Sequence, residues 1–510
     1  MKKKLLIYAH YYVPDVASTG QILRELAEGI RDEFDITVLC VVPSYTGSIS
    51  PEYKENRLYS EDINGVHVLR VPVPEFSKSS KKSRVKNIAA YFFNARKATK
   101  ELKEPFDYVF TISQPPLMGG LLGVYGKKKL RTADGKRPTL IYNIQYLNPE
   151  QIMAVGYFGN KLALRIMMAI DKYSCRRSDL VITVGRDLVE SVKRRFVKNP
   201  PKVTMINNWI DEKEIYPLPV DHPKVMEFRE KYGLEDKFII MYSGNIGLYY
   251  DLESLIKVIE MFNDAHTPDG REVVFAFVGA GSVLDKLVLY VKEHDMNNTV
   301  FIPYQDKADL NFSLNAGDVH WCVNAKGIKG VSCPSKYYGL AAAGKPILGV
   351  LESGSEVCCL IEETHGGLVC EPGDCSQVEK NIRWFIDHAG SEELVEMGKR
   401  SRAYLIGHLT KDVSIRKYKK AITGQYEIID NMNGGNEMTA RIKGGRLSSL
   451  FDIPEAFKTN DAISCLTAPN EWIEVVEQKT AEEVREERSE TSEDKTETSE
   501  YADLQMKEAA

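Results

Sequence analysis

The feature that most constrains this chain is an alternation of short apolar runs with helically spaced segments, played through twice. The first run, 5–9, leads to a stretch with Ile22, Leu23, Leu26 and Ile30 at helical spacing, and the run 36–42 closes a βαβ unit. Further strand-length runs follow at 66–71, 108–112, 139–144, 180–184 and 203–211. After a polar segment holding Pro217, Pro219 and Pro223, the pattern restarts at 238–242, 273–278, 300–304, 319–323, 347–351 and 367–370. Strands alternating with helices predict parallel sheets covered on both faces. Two such series predict an α/β protein with two Rossmann-like, doubly wound domains, over residues 1–215 and 216–430. In such sheets ligands bind beyond the C-terminal ends of the strands.

Beyond 430 the character changes. Residues 474–508 hold 13 acidic and five basic residues with Ser/Thr repeats, too little apolar surface to order themselves, so 431–510 reads as an irregular extension with a disordered acidic tail. Charge is divided along the chain. Residues 1–215 carry 35 Lys+Arg against 23 Asp+Glu, or +12; the totals of 67 and 72 leave 32 against 49, or −17, for the rest. The nine cysteines form no CxxC pair, so neither a disulfide framework nor a metal site is expected, and reduced thiols fit a cytoplasmic location. No apolar run reaches the ~20 residues that span a bilayer. The opening run reads as a buried strand, since His10-Tyr11-Tyr12 and Asp15 end it too soon for a secretory signal.

Between Ser77 and Lys103, nine Lys/Arg and one Glu interleave with Ile88, Tyr91, Phe92 and Phe93. Such a basic amphipathic segment suits a membrane surface or an anion-binding face, with a solvated helix face as the plain alternative. Nothing matches a nucleic-acid module, and no G-x-G-x-x-G lies between the first strand and helix, which argues against a dinucleotide cofactor.

Candidate site residues gather at strand ends. In the first half these are the Ser18-Thr19-Gly20 loop, Gln114 before Pro115-Pro116, Tyr146 and Glu150 after the 139–144 strand, and Gly185-Arg186-Asp187. In the second half, glycine turns recur: Gly244-Asn245-x-Gly247, Gly279-x-Gly281 and Gly354-Ser355-Glu356. Glycine lets backbone N–H groups approach a phosphate closely. The stretch 327–346 joins a glycine-bearing loop, with Lys329, to a small-residue helix in which Ser335 is expected as N-cap and Lys336 lies in the first turn. That places a mobile positive charge beside unpaired N–H groups.

In their order along the chain, these motifs resemble glycosyltransferase family 4. Pro334-Ser335-Lys336-x-Tyr338 followed by Ala-Gly-Lys-Pro, together with Tyr11-Tyr12-x-Pro14 and Asn208-Trp209-Ile210-Asp211, is similar to the WcaI/WbuB-like branch of bacterial polysaccharide synthesis. The resemblance covers about residues 1–425 and implies a GT-B fold whose two domains face a cleft. It implies a nucleotide-sugar donor, UDP-linked, on the second domain, lined by Gly244, Asn245, Gly247, Gly279, Gly281, Lys329, Ser335, Lys336, Gly354, Ser355 and Glu356. A lipid-linked or glycan acceptor would meet Ser18, Thr19, Gly20, Gln114 and Tyr146 on the first. No metal or cofactor is implied, so Lys336 would stabilise the leaving diphosphate, with retention of anomeric configuration. The location expected is cytoplasmic, with the basic segment 77–103 as a peripheral contact on the inner face of the cell membrane.

Three departures from the family pattern stand out. Asn245 and Tyr250 lie where many members carry an Arg and a Lys; Val331 and Gly339 stand where many carry two glutamates; and Tyr146 stands where the branch carries an aspartate. Glu150 is the nearest remaining carboxylate for general-base work, since tyrosine is protonated at neutral pH. The departures keep two other readings open, a catalytically impaired scaffold of the same fold and a nucleotide-sugar epimerase.

Overall fold

The computed structural model describes residues 2–15, 18–77, 80–154, 160–196 and 198–426; the expected extension and acidic tail over 431–510 lie outside the described residues. The first body runs β1 (Lys3–Tyr8), α1 (Ser18–Ile30), β2 (Phe34–Val41), β3 (Tyr59–Ile63), β4 (Val66–Val71), α2 (Lys81–Glu101), β5 (Tyr108–Ile112), α3 (Met118–Lys129), β6 (Thr139–Ile144), α4 (Glu150–Ala154), α5 (Lys161–Arg177), β7 (Leu180–Thr183), α6 (Arg186–Arg194) and β8 (Val203–Met205). Its strands form one eight-stranded sheet in the order β3-β4-β2-β1-β5-β6-β7-β8. The central strands are buried along nearly their whole length, as a sheet covered on both faces requires. Helices α2, α3 and α5 pack side by side in one layer.

The second body runs α7 (Pro223–Lys231), β9 (Phe238–Ser243), α8 (Leu252–Ile259), β10 (Val273–Val278), α9 (Leu284–Glu293), β11 (Thr299–Ile302), α10 (Leu310–Ala316), β12 (Val319–Val323), α11 (Lys336–Ala342), β13 (Ile347–Val350), α12 (Glu356–Thr364), β14 (Gly367–Cys370), α13 (Cys375–Asp387) and α14 (Glu392–His408). Its six strands are all parallel, in the order β11-β10-β9-β12-β13-β14. The last helix, α15 (Lys411–Ile422), then crosses back. Its Ile415, Tyr418, Ala421 and Ile422 pack into the first body's core with Leu5, Ile7, Leu23 and Leu26.

Three local expectations change. β3 is absent from the sequence reading because its residues, Tyr-Ser-Glu-Asp-Ile, are mostly polar; it pairs antiparallel with β4 at the sheet edge, with alternate side chains half-buried. Ser18, Thr19 and Gly20 form the first turn of α1 rather than a loop. Ser335 is not an N-cap: its backbone is already helical (φ −72, ψ −15) and its side chain makes no capping bond. Ser355 flanks α12 with an extended backbone, but its hydroxyl does not cap either.

Candidate active site

On the second body the site begins where β9 and β10 end. Both strands run into glycines with left-handed backbone, φ +135 at Gly244 and +139 at Gly279. A Cβ on Gly279 would lie 2.1 Å from the Gly244 carbonyl oxygen, and one on Gly281 2.3 Å from the Ile246 oxygen. No side chain fits, so the two turns lie backbone against backbone. The Gly244 N–H donates to Val278 at 2.9 Å and the Ile246 N–H to Ala280 at 2.8 Å. The Asn245 Oδ1 is buried between Gly247 and Gly281, with no hydrogen-bond partner inside the protein.

Lys336 reaches across this surface. A Cβ on Gly244 would meet its Cε at 2.7 Å, and its Nζ lies 3.6 Å from the centroid of the Tyr250 ring and 5.1 Å from that of Tyr242. The sequence therefore brings together what it separates by some 90 residues: two bare turns and a cation.

The loop before α11 is held from both sides. Glu352 Oε2 accepts from the N–H groups of Gly327 (2.9 Å) and Lys329 (2.8 Å), and the Lys329 ammonium donates to the Ser353 carbonyl. From the first body, Asp187 Oδ2 accepts from the Gly330 N–H at 2.7 Å, the Leu147 N–H donates to Val331 at 2.9 Å, and Tyr146 forms a β-bridge with Ser332. Both sheets thus turn their C-terminal edges to one seam.

Glu356 lies in that seam. Its Oε2 accepts from the backbone N–H of Arg186 (2.9 Å) and from its Nε (2.8 Å), and its Oε1 from Asn207 Nδ2 (2.8 Å). Its side chain is 1% exposed, so both oxygens are committed across the interface rather than held open for a ribose. Arg186 also pairs with Glu363 on α12. Beside it, burial pushes the Asp187 carboxyl up to about 6, helped by the nearby Glu356 charge and opposed by the N–H groups of Gly330 and Leu188. Gly354 is left-handed (φ +71), and the Ser355 hydroxyl is buried without a hydrogen-bond partner inside the protein.

On the first body, Gln114 is buried at the end of β5 beside a cis bond to Pro115. Gly20 is packed against the Tyr11 carbonyl. Glu150 opens α4 and pairs with Arg195, whose guanidinium also binds Asp171 and the Asn148 carbonyl. Arg195 is 4% exposed, so Glu150 neutralises a buried cation. A carboxylate committed in this way is a poor general base, and the geometry gives Glu150 a structural part.

Sequence reasoning noted Gly185-Arg186-Asp187 only as a turn and missed that Arg186, Asp187 and Asn207 form the seam. Their positions at strand ends were the available signal, and their partners lie more than 140 residues away.

The two facing bodies define a GT-B glycosyltransferase fold. The sucrose-phosphate synthase of Thermosynechococcus elongatus superposes with a TM-score of 0.63 at 13% identity, over 83% of this chain and 99% of that one. Anabaena HepE, solved with UDP-glucose, gives 0.56 at 13% over 82% and 99%. Residues 19–209 match the glycosyl transferase 4-like domain. WbjE of Pseudomonas aeruginosa is 26% identical over 275 residues, 54% of this chain and 65% of WbjE, so that match spans just under two thirds of the relative. WcaI of Escherichia coli K12, named for colanic acid biosynthesis, is 24% identical over 391 residues, 74% of this chain and 91% of WcaI. The chain is thus similar to glycosyltransferases of family 4, with WcaI and WbjE among its relatives.

Proposed function

We propose that this chain transfers a hexosyl or N-acetylhexosaminyl unit from a UDP-linked donor to a lipid-linked or glycan acceptor in cell-surface polysaccharide synthesis, with retention. The observation that carries the reading is the Lys336 side chain lying across the Gly244 turn, against which the Gly279 turn packs. Close-packed glycine turns admit a nucleotide diphosphate to within hydrogen-bonding distance of backbone, and the lysine charge would offset the charge that develops on the leaving diphosphate. The other donor-side residues would be Asn245, Gly247, Gly281, Lys329, Ser335, Gly354 and Ser355, with Glu356 joining them only when the seam parts. The acceptor would enter along Ser18, Thr19, Gly20, Gln114 and Tyr146. HepE in complex with UDP-glucose supports a nucleotide-sugar donor.

No helix of the described residues is long and apolar enough to cross a membrane. A peripheral contact at the cytoplasmic face is the reading for α2, whose outer ridge exposes Lys82, Lys86, Phe93, Lys97 and Lys100. Co-sedimentation with anionic but not neutral vesicles would support it; equal binding to both would count against it.

The test of the donor reading is thermal stabilisation by UDP. At 100 times its Kd the ligand should add about 2.7 kcal/mol. Lys336→Ala should weaken UDP binding about tenfold or more with the fold intact, and wild-type affinity in that variant would sink the assignment. A second reading, a GT-B protein that binds donor without turning it over, is favoured by Tyr146, which meets Ser332 through its backbone, and by the commitment of Glu150 to Arg195. Transfer by Tyr146→Asp alone supports that reading; robust wild-type transfer removes it.

A further inference from the structure

We propose that α2, α3 and α5 form one bilayer-docking face, and that α5 lays its exposed ridge of Leu162, Ile166, Ala169 and Tyr173 into the acyl boundary of an anionic membrane. The inference rests on the peripheral contact read for α2 above and deepens it: it adds a helix that the α2 contact leaves out, and makes the attachment apolar as well as electrostatic.

Helix α5 is apolar on both sides. Its inner residues Leu164 and Met167 are buried with Leu117 and with Ile152 of α4. Its outer residues Leu162, Ile166 and Tyr173 are 65%, 52% and 45% exposed, and Ala169 is exposed between them. Spacings of four, three and four residues keep these side chains on one ridge, about 16 Å long. From 162 to 170, Arg165 is the only residue that is not apolar. A surface helix ordinarily turns a polar face outward, and one that is apolar all round is ordinarily buried. The stripe continues across the layer. Leu121 and Tyr125 of α3 are half-buried, the Arg96 guanidinium lies 4.6 Å from the centre of the Tyr125 ring and 5.3 Å from that of Phe92, and Phe93 is 57% exposed.

The charge around the ridge chooses its occupant. The three helices carry 15 Lys+Arg against two Asp+Glu, a net +13. The whole of 1–215 nets +12, so the positive charge of the first body is the charge of this layer. Both acids are engaged, Glu101 by Arg57 and Asp171 by the buried Arg195. Lys127 is drawn to Asp179 just past α5, but Lys161, Arg165, Arg176 and Arg177 flank the ridge exposed. A second copy would bring the same +13 against it, so like charge opposes self-association through this face. An anionic bilayer answers both features: lipid phosphates meet the cations while the apolar side chains enter between the acyl chains. The arginine stems can lie along the ridge with their heads among the phosphates. Placement adds a reason for such a contact. Ile152 of α4 packs on α5, and Ala154 at the end of α4 packs against Tyr249 and Ile328 of the second body. The Leu162 end of the ridge is therefore one short helix from the seam, and an acceptor anchored in the same bilayer would reach the site without leaving it.

The experiment sediments the full chain with vesicles of phosphatidylcholine alone and of phosphatidylcholine with phosphatidylglycerol. Each is run at about 0.1 M and about 1 M salt, which shortens the screening length from about 10 Å to about 3 Å. Wild type should bind the anionic vesicles, and part of that binding should survive the higher salt. Leu162→Gln/Ile166→Gln keeps every charge; it should weaken binding about tenfold and remove the salt-resistant part. Lys82→Gln/Lys86→Gln should weaken binding at the lower salt and leave the salt-resistant part. A ridge variant that binds like wild type overturns the inference and leaves the α2 contact standing, whereas no binding by wild type overturns both. Insertion has a readout of its own. In Ile166→Trp, vesicles with brominated acyl chains should quench fluorescence beyond the quenching seen in wild type, and equal quenching overturns the inference. Sedimentation velocity without vesicles tests the other occupant: a wild-type dimer that the ridge variant abolishes would assign the ridge to a second copy and overturn the inference.

Discussion

The two edges that meet at the seam are made of different materials. On the second body the loops meet largely through backbone: a Cβ on Gly279 would meet the Gly244 carbonyl and one on Gly281 the Ile246 carbonyl. On the first body the corresponding edge is a relay of buried amides. Asn208 Nδ2 donates to Gln145 Oε1, Gln145 Nε2 to Asn143 Oδ1, and Asn143 Nδ2 to the Tyr418 hydroxyl, each at 2.7 Å. One edge makes room for a ligand by omitting atoms. The other presents fixed polar atoms that define a shape. Omission tolerates no added carbon, whereas a relay tolerates substitution in proportion to how many groups each change strands.

The largest expected effect is on the amide side of the seam. Arg195→Ala removes a cation that is 4% exposed and strands the buried Asp171, so unfolding in urea should show a loss of about 3–5 kcal/mol. A loss under 1 kcal/mol would mean that the pair does not anchor α4 to α6. On the glycine side, Gly279→Ala should cost about 3 kcal/mol, because the methyl meets a carbonyl at 2.1 Å and the backbone is left-handed. Gly270→Ala shares the positive φ but has nothing within 4 Å, and should cost only about 1 kcal/mol. Equal losses at the two glycines would refute the idea that close approach, rather than backbone conformation, fixes Gly279.

Asp187 joins the two edges, and its response is to pH. Its carboxyl is pushed from an ordinary 3.8 up to about 6, so the protonated form is favoured by folding. The associated stability is present below pH 3.8 and is lost as pH rises through 6. Asp187→Asn should therefore gain about 3 kcal/mol relative to wild type between pH 4 and pH 7.5, read from urea midpoints at each pH. Parallel pH curves would mean that the group is not buried in solution. The smallest change expected is Asn208→Ala, about 1 kcal/mol, since it frees one amide acceptor at the end of the relay. A much larger loss would mean that the relay acts as a unit.

Much of this was legible from residues. The strand series carried the topology because apolar runs buried on both faces leave a strong local signal, and β10, β12 and β14 fall where the runs predict. The glycine turns were legible too, since their spacing after strands is itself a local pattern. What failed was non-local. The seam pairs Arg186 with Glu356 and Asp187 with Gly330, and neither partner leaves a trace near the other. Ser335 failed for a subtler reason: residue type suggested a cap, but the preceding loop is already helical there. Tyr250 was read as the loss of a charge, and its ring gained meaning only when Lys336 was placed above it.

Helix α15 has a consequence for how the molecule is assembled. Ile415 packs so closely on α1 that a Cβ at Gly29 would sit 2.4 Å from its Cδ1, and Tyr418 closes the amide relay from the far end of the described chain. The first sheet thus cannot finish its own core until residues synthesised just over 200 positions after β8 have arrived. A fragment holding only residues 1–215 would expose that unfilled wall, and during synthesis it would have to wait, partly open, for the second body to be made.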